Sequence, residues 1–149
     1  MKDEQFLVFG LNGGRFALPL EQVQRVVRAV AITPMPDPPP GVRGVINVAG
    51  QLLPVLDLRQ LLQMPPAELS PSDYFILVSS PAGPRALLVN DVLWIITCRE
   101  DDIIPAQEIF PEVGSIRGAV KLDHEIIFIH DPGEQAAALN SFPALVEQE

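Results

Sequence analysis

The stretch "GVRGVINVAGQLLPVLDLRQLL", residues 41–62, is the most patterned in the chain, and its reading decides the fold. "RGVINVAGQLLPVLDL" reads as two strands joined by a turn near Ala49-Gly50-Gln51. Asp57 then stands where an N-cap carboxylate accepts the unpaired amide hydrogens of a helix's first turn. Leu58, Leu61 and Leu62 share one face of that short helix, and Pro65-Pro66 ends it. Nothing in the stretch does chemistry: it holds no Cys, His or Ser and no phosphate-cradling loop.

Upstream, "QFLVFGLNGGRFALPL" is two apolar runs joined by Asn12-Gly13-Gly14. Asn and Gly accept the positive φ of tight hairpin turns, so a β-hairpin is expected here. In "LEQVQRVV" the residues Val23, Val26 and Val27 fall at i, i+3 and i+4, a spacing that predicts a short helical turn or two. "ITPMPDPPPG" has six Pro or Gly in ten residues and must be an extended, stiffened loop. Downstream come "YFILVSS", a turn over Pro81–Pro84, "RALLVNDVLWIITC", the acidic connection "REDDIIPAQE", and a hairpin of "SIRGAVKL" with "EIIFIHD". Asp131, Pro132 and Glu134 fit the start of a last helix. The final "SFPALVEQE" is expected to be loosely attached.

The chain repeats itself. Arg43-Gly44-Val45-Ile46 returns as Arg117-Gly118-Ala119-Val120, and "LLPVLD" returns 74 positions on as "IIFIHD". "FALPLEQVQRVV" echoes "RALLVNDVLWII" at an interval of 69, and "ITP" at 32–34 echoes "IIP" at 103–105. Two similar β-rich lobes follow, each ending on a strand whose last Asp caps a helix. Closed or nearly closed small barrels suit so many short strands, because closure removes exposed edges.

Composition agrees. The 149 residues are 48% hydrophobic but only 6% aromatic, so the core is Val, Leu and Ile, punctuated by 16 Pro and 10 Gly. A net charge of −9 with no basic cluster argues against nucleic acid and anionic membrane surfaces as partners. The single Cys98 excludes an intrachain disulfide and fits a reducing compartment, with the thiol buried in a strand. The N-terminal ten residues lack a signal peptide's apolar core, and no window is long and apolar enough to span a membrane. A cytoplasmic protein is expected.

A search for catalysis fails. Ser79-Ser80 and Ser115 lie in no nucleophile-elbow pattern. His124 and His130, with Asp123 and Asp131 beside them, lack metal-ligand spacing and fall at opposite ends of a hairpin strand. Glu100-Asp101-Asp102 lacks the alternating ligands of a calcium loop. No catalytic residue, metal or cofactor is assigned. A small acidic enzyme built on carboxylates gathered in three dimensions is the competing class, and a binding module fits better.

The order of "FLVFGL", "RFALPLEQVQRVV", "ITPMPDPPPGVRGVINVAGQLLPVLDLRQLL", "FILVSS", "ALLVNDVLWII", "IIPAQE" and "SIRGAVKLDHEIIFIHD" resembles the CheW-like family of bacterial chemotaxis coupling proteins, over roughly residues 5–131. The resemblance implies an all-β fold with a few short helices: two SH3-like five-stranded β-barrel lobes on a shared apolar core. It places one domain over residues 1–133, with a lobe boundary near 65–75 and again at the N-terminal strand, and a C-terminal helix or tail over 134–149. It implies a non-enzymatic adaptor joining chemoreceptor tips to the regulatory domain of the chemotaxis histidine kinase, in the cytoplasm and recruited to membrane-associated arrays. The family's receptor-contacting groove maps onto a Val of the first short helix, Val23, onto Gly44, and onto the turn Asn47-Val48-Ala49-Gly50. At that turn the family carries Arg where this chain has Ala49, so the receptor contact is expected to be altered. Asn90 stands where the family has Asp. A CheW-like interaction domain repurposed for a pathway other than motility is the alternative.

Overall fold

In a computed structural model of the chain, residues 3–81, 83–109 and 116–130 are described. The strands are β1 (Asp3–Leu11), β2 (Gly14–Pro19), β3 (Val23–Arg28), β4 (Val42–Val48), β5 (Gln51–Leu56), β6 (Tyr74–Val78), β7 (Arg85–Val89), β8 (Asp91–Arg99), β9 (Ile103–Pro105), β10 (Ile116–Leu122) and β11 (Glu125–His130). Among the described residues one α-helix, α1 (Leu58–Leu61), follows β5. They form two sheets, ordered β8-β1-β2-β11-β10-β9 and β3-β6-β7-β5-β4. The chain passes from the first sheet to the second between β2 and β3, and returns between β7 and β8.

The two sheets are the same sheet twice. Counterparts by the sequence repeat occupy the same places: β8 matches β3, β1 matches β6, β2 matches β7, β11 matches β5 and β10 matches β4. The register obeys the same intervals. Leu7 faces Leu18 and Ile95, while Ile76, 69 positions on from Leu7, faces Leu87 and Val26. The parallel pairs match too, Ala17 with Ile129 and Ala86 with Val55.

The packing follows. Phe6, Val8, Ala17, Val120, Ile127 and Ile129 fill the six-stranded lobe. Their counterparts Phe75, Leu77, Ala86, Ile46, Leu53 and Val55 fill the other. The alternate residues of the central strands, among them Leu7, Phe9, Leu18, Ile76, Val78 and Leu87, form a third core shared by both lobes. Central strands buried on both faces read as continuous apolar runs, and "YFILV" and "RALLV" do so.

Neither sheet closes on itself: β8 and β9 are the edges of one, β3 and β4 of the other. The first has six strands because "IIP" pairs with β10 as β9, whereas its counterpart "ITP" makes a single bridge, Thr33 to Val45. The prolines that follow Thr33 cannot continue a ladder.

The expected helix at Val23–Val27 is a strand. Only Leu20–Gln22 turn helically, as one 3-10 turn, and Val23 opens β3. β-branched valines favour the pleated edge beside β6, and a bulge between Val23 and Arg25 breaks the alternation that would have announced a strand. The other elements expected within the described residues form. The hairpin β1–β2 turns at Asn12-Gly13, with Asn12 at φ 51°. The Asp57 side chain accepts from the Arg59 amide and caps α1, and Leu58 packs into the shared core. Cys98 is buried in β8. The expected helix start at Asp131, Pro132 and Glu134, the C-terminal tail and Ser115 lie outside the described residues.

Candidate functional site

The residues singled out at 23 and 47–50 lie toward the same end of the five-stranded sheet, on its two opposite edges, β3 and the β4–β5 hairpin. Val23 faces Val78, which faces Arg85. Through the parallel β5–β7 pair, that row is level with Pro54 and Val45. From there the β4–β5 hairpin runs on through the pairs Ile46–Leu53, Asn47–Leu52 and Val48–Gln51 to its turn. Ala49 and Gly50 both take positive φ, 51° and 87°, which gives the type I′ geometry whose twist matches the flanking strands. Asn47 Oδ1 accepts the Gly50 amide at 2.9 Å and closes the turn. Asn47, Ala49 and Gly50 are exposed, whereas Val48 leans back onto the lobe core. Leu52, beside them, is 64% exposed.

Val23 is partly buried against the shared core. Next to it lies a shallow cleft of about 280 Å³ lined by Gln22, Ser79, Ser80 and Pro81. The Ser79 amide donates to the Gln22 carbonyl at 2.9 Å, and Ser80 Oγ donates to the Gly83 carbonyl at 2.6 Å. Gln22 Oε1 is buried, and no described residue donates a hydrogen bond to it.

Gly44 is different in kind. It is buried at φ 151°, and a Cβ there would sit 2.3 Å from the Thr33 carbonyl oxygen. Its absent side chain lets Thr33 exchange two backbone hydrogen bonds with Val45, each 2.9 Å. The counterpart Gly118 does the same beneath Ile104, whose carbonyl oxygen would lie 2.4 Å from an added Cβ.

At the opposite end a polar chain pins the lobes together. Asp57 is buried, with Arg43 Nη1 3.5 Å and Arg59 Nη1 3.6 Å from its carboxylate oxygens. Arg59 is 1% exposed and donates from Nε to Asn12 Oδ1 at 2.7 Å. Asn12 donates from Nδ2 to the Pro65 carbonyl and from its amide to Asn90 Oδ1. Asn90 Nδ2 in turn donates to Asp73 Oδ1 at 3.2 Å. Asn12 thus serves twice, as the turn residue of one lobe and as the clamp on α1 and the β7–β8 crossover of the other. The turn motif announced the first role; the partners of the second are 47, 53 and 78 positions away.

The residues weighed for chemistry do not converge. His124 sits in the exposed β10–β11 turn and His130 is buried at the far end of β11. Asp131 lies outside the described residues. Among the described residues no three His, Cys, Asp or Glu gather as metal ligands. Glu100–Asp102 form an exposed 3-10 turn, with Asp102 Oδ2 accepting the Arg99 amide. Burial, followed by the charges of Asp102 and Glu4, pushes the Cys98 thiol up from its ordinary range, the opposite of a reactive cysteine. Among the described residues no helix is long and apolar enough to cross a membrane.

Comparison with known proteins agrees with this architecture. The CheW-like domain profile matches residues 5–139. Chemotaxis protein CheW of Bacillus subtilis (strain 168) is 30% identical over 105 residues, 70% of this chain and 67% of that protein. Protein FrzA of Myxococcus xanthus is 27% identical over 135 residues, 91% of this chain and 79% of that one. The crystal structure of scaffolding protein TtCheW from Thermoanaerobacter tengcongensis superposes with a TM-score of 0.79 at 26% identity, covering 89% of this chain and 87% of the other. With a profile match over nearly its whole length, this chain belongs to the CheW-like family, whose members are scaffolding adaptors of chemotaxis and not enzymes.

Proposed function

We propose that this chain is the coupling adaptor of a bacterial chemosensory system, joining the cytoplasmic tip of a chemoreceptor to the regulatory domain of the chemotaxis histidine kinase. It works in the cytoplasm and is brought to membrane-associated receptor arrays by those partners. The observation that supports the reading is the family match, together with an exposed Asn47–Gly50 turn that lies toward the same end of the five-stranded sheet as Val23. Val23 supplies an apolar contact, and Asn47, Val48, Ala49 and Gly50 supply the turn's surface. Gly44 acts from beneath, by letting Ile32 and Thr33 settle against β4.

Ala49 brings no donor where the family presents a guanidinium with five. Losing one charge-assisted contact weakens the receptor complex by about 1.5–3 kcal/mol, roughly tenfold to a hundredfold. The kinase contact relies on apolar lobe-end packing, for which the six-stranded lobe offers Ile126, 59% exposed and away from Ala49, and so survives the change.

Calorimetric titration with the kinase regulatory domain and a receptor-tip fragment from the same organism tests this. Kinase binding in the micromolar range is expected, with receptor binding that tightens tenfold or more in Ala49→Arg. Ala and Arg carry the same Cβ at φ 51°, so the substitution restores donors without adding backbone strain. Absence of kinase binding by both versions would end the coupling role.

A further inference from the structure

Two clefts among the described residues are one cleft made twice. The cleft next to Val23 is lined by Gln22, Ser79, Ser80 and Pro81. At the repeat interval of 69, the counterparts of Gln22, Ser79 and Ser80 are Asp91, Gly10 and Leu11. A second cleft, of about 240 Å³, opens at those three residues, walled also by Arg15 and Leu93. Val92 follows Asp91 as Val23 follows Gln22, and both valines are partly buried against the shared core.

The place is kept and the chemistry is not. The first cleft is neutral, an amide among hydroxyls and a proline. In the second, Asp91, Gly10 and Arg15 form one row across β8, β1 and β2, so they share a face of the sheet. Gly10 leaves a gap in that row: a Cβ there would stand 3.7 Å from Asp91 Oδ2 and 3.9 Å from Leu93 Cδ1. The carboxylate and the leucine therefore flank the same opening. Arg15 does not answer the carboxylate. Its Nε donates to Glu125 Oε1 at 2.8 Å, and its guanidinium lies 4.7 Å over the Trp94 ring. Asp91 is left as an exposed carboxylate that makes no hydrogen bond or ion pair with any described residue, and it is set in a cleft rather than on open surface. Trp94, held under Arg15, is 42% exposed.

We infer that this cleft receives a lysine or arginine side chain of the kinase regulatory domain, with its charge on Asp91 and its methylene stem against Leu93 in the space above Gly10. A long basic side chain is the one kind that lays an apolar stem along a wall and ends in a cation. A chain of net charge −9 draws such a group in, and the neighbouring Trp94 and Arg15 are the residue types that anchor protein interfaces. The inference rests on the proposed kinase contact and deepens it: the neutral cleft lies next to Val23 and belongs with the receptor contact, which leaves its charged twin to the other partner.

The test titrates the kinase regulatory domain of the same organism into the full chain, at low and moderate salt. Two variants are compared with wild type, and their unfolding midpoints check the fold. Asp91→Asn removes the charge and keeps the shape. Gly10→Leu fills the cleft and keeps the charge; Gly10 has no positive φ, and an added Cβ meets only ordinary contacts there. Each variant is expected to weaken kinase binding tenfold or more, and Asp91→Asn also to flatten its salt dependence. One Lys→Glu or Arg→Glu change in the kinase domain is expected to restore binding to Asp91→Lys alone. Kinase binding within twofold of wild type by either Asp91→Asn or Gly10→Leu would overturn the inference and leave the coupling reading standing. A wild-type chain that does not bind the kinase domain would overturn both.

Discussion

Gly44→Ala separates a glycine that touches a partner from one that builds the lobe. The added Cβ would lie 2.3 Å from the Thr33 carbonyl oxygen and 2.8 Å from Ile32 Cγ2. Ordinary C···O contacts begin near ~3.3 Å, so the 32–33 segment must retreat by about 1 Å. That movement breaks the two 2.9 Å hydrogen bonds between Thr33 and Val45. Each contributes about 1 kcal/mol net, overpacking costs about 1–3 kcal/mol, and a side chain at φ 151° adds on the order of 1 kcal/mol. The expected loss is about 4–6 kcal/mol, a large share of a domain's usual stability. Gly118→Ala provides the internal control. It meets the Ile104 carbonyl oxygen at 2.4 Å but has no positive φ, so it is expected to cost about 1 kcal/mol less. Urea unfolding followed by the emission of the single Trp94 measures both. If Gly44→Ala lost less than about 1 kcal/mol while still abolishing partner binding, the close-approach argument would be wrong and Gly44 would be a contact residue.

Ala49→Asn puts the preferred Asn-Gly pair into the type I′ turn and is expected to stabilise by about 0.5–1 kcal/mol; a loss in the same urea assay would refute the turn assignment. Asn90→Asp replaces the amide that donates to Asp73 with a second carboxylate, so a loss of about 1–3 kcal/mol is expected at neutral pH. One carboxyl of that pair is raised in the folded variant, so the deficit shrinks as pH falls below about 5; a pH-independent deficit would show that repulsion is not its cause. Cys98 is held above its unfolded value by burial first and then by Asp102 and Glu4. Its contribution is therefore fully present below the unfolded thiol's pKa near ~8.5 and is lost as pH rises through the folded value. The wild-type decline in stability above that pH is expected to flatten in Cys98→Ala, and fast labelling of native protein at pH 7 by a thiol reagent would contradict the buried assignment.

What was legible in the sequence was local. Asn12-Gly13 announced a hairpin because few residue pairs tolerate two positive φ values in succession, and Gly50 between two apolar runs announced the second. Asp57 announced α1 because only a short acceptor side chain satisfies a helix's first amides. The repeat announced two lobes, since intervals of 69 and 74 survive in both sequence and register. β3 was misread because a bulge at Val23–Arg25 shifted its alternation into a helical spacing. The candidate site was legible only as positions. That Gly44 is buried under Thr33 and that Asn12 clamps Arg59 are facts of packing, which the residue types alone do not announce.

The pattern of likeness and unlikeness between the lobes carries the functional argument furthest. Interior counterparts such as Phe6 and Phe75, or Ala17 and Ala86, stay alike because shrinking a core side chain costs about 2–5 kcal/mol. Residues at the lobe ends face no such penalty, since exposed substitutions change stability by only about 0.5 kcal/mol. There the lobes part: Arg15, Trp94 and Glu125 close one end on itself, while their counterparts Pro84, Arg25 and Gln51 form no such set among the described residues. The turns part as well, Ala49-Gly50 against Asp123-His124. An adaptor with two identical ends would offer one kind of partner two equivalent places, and the partners would compete. Two ends on one scaffold, alike in core and unlike in surface charge, are what joining two different proteins requires.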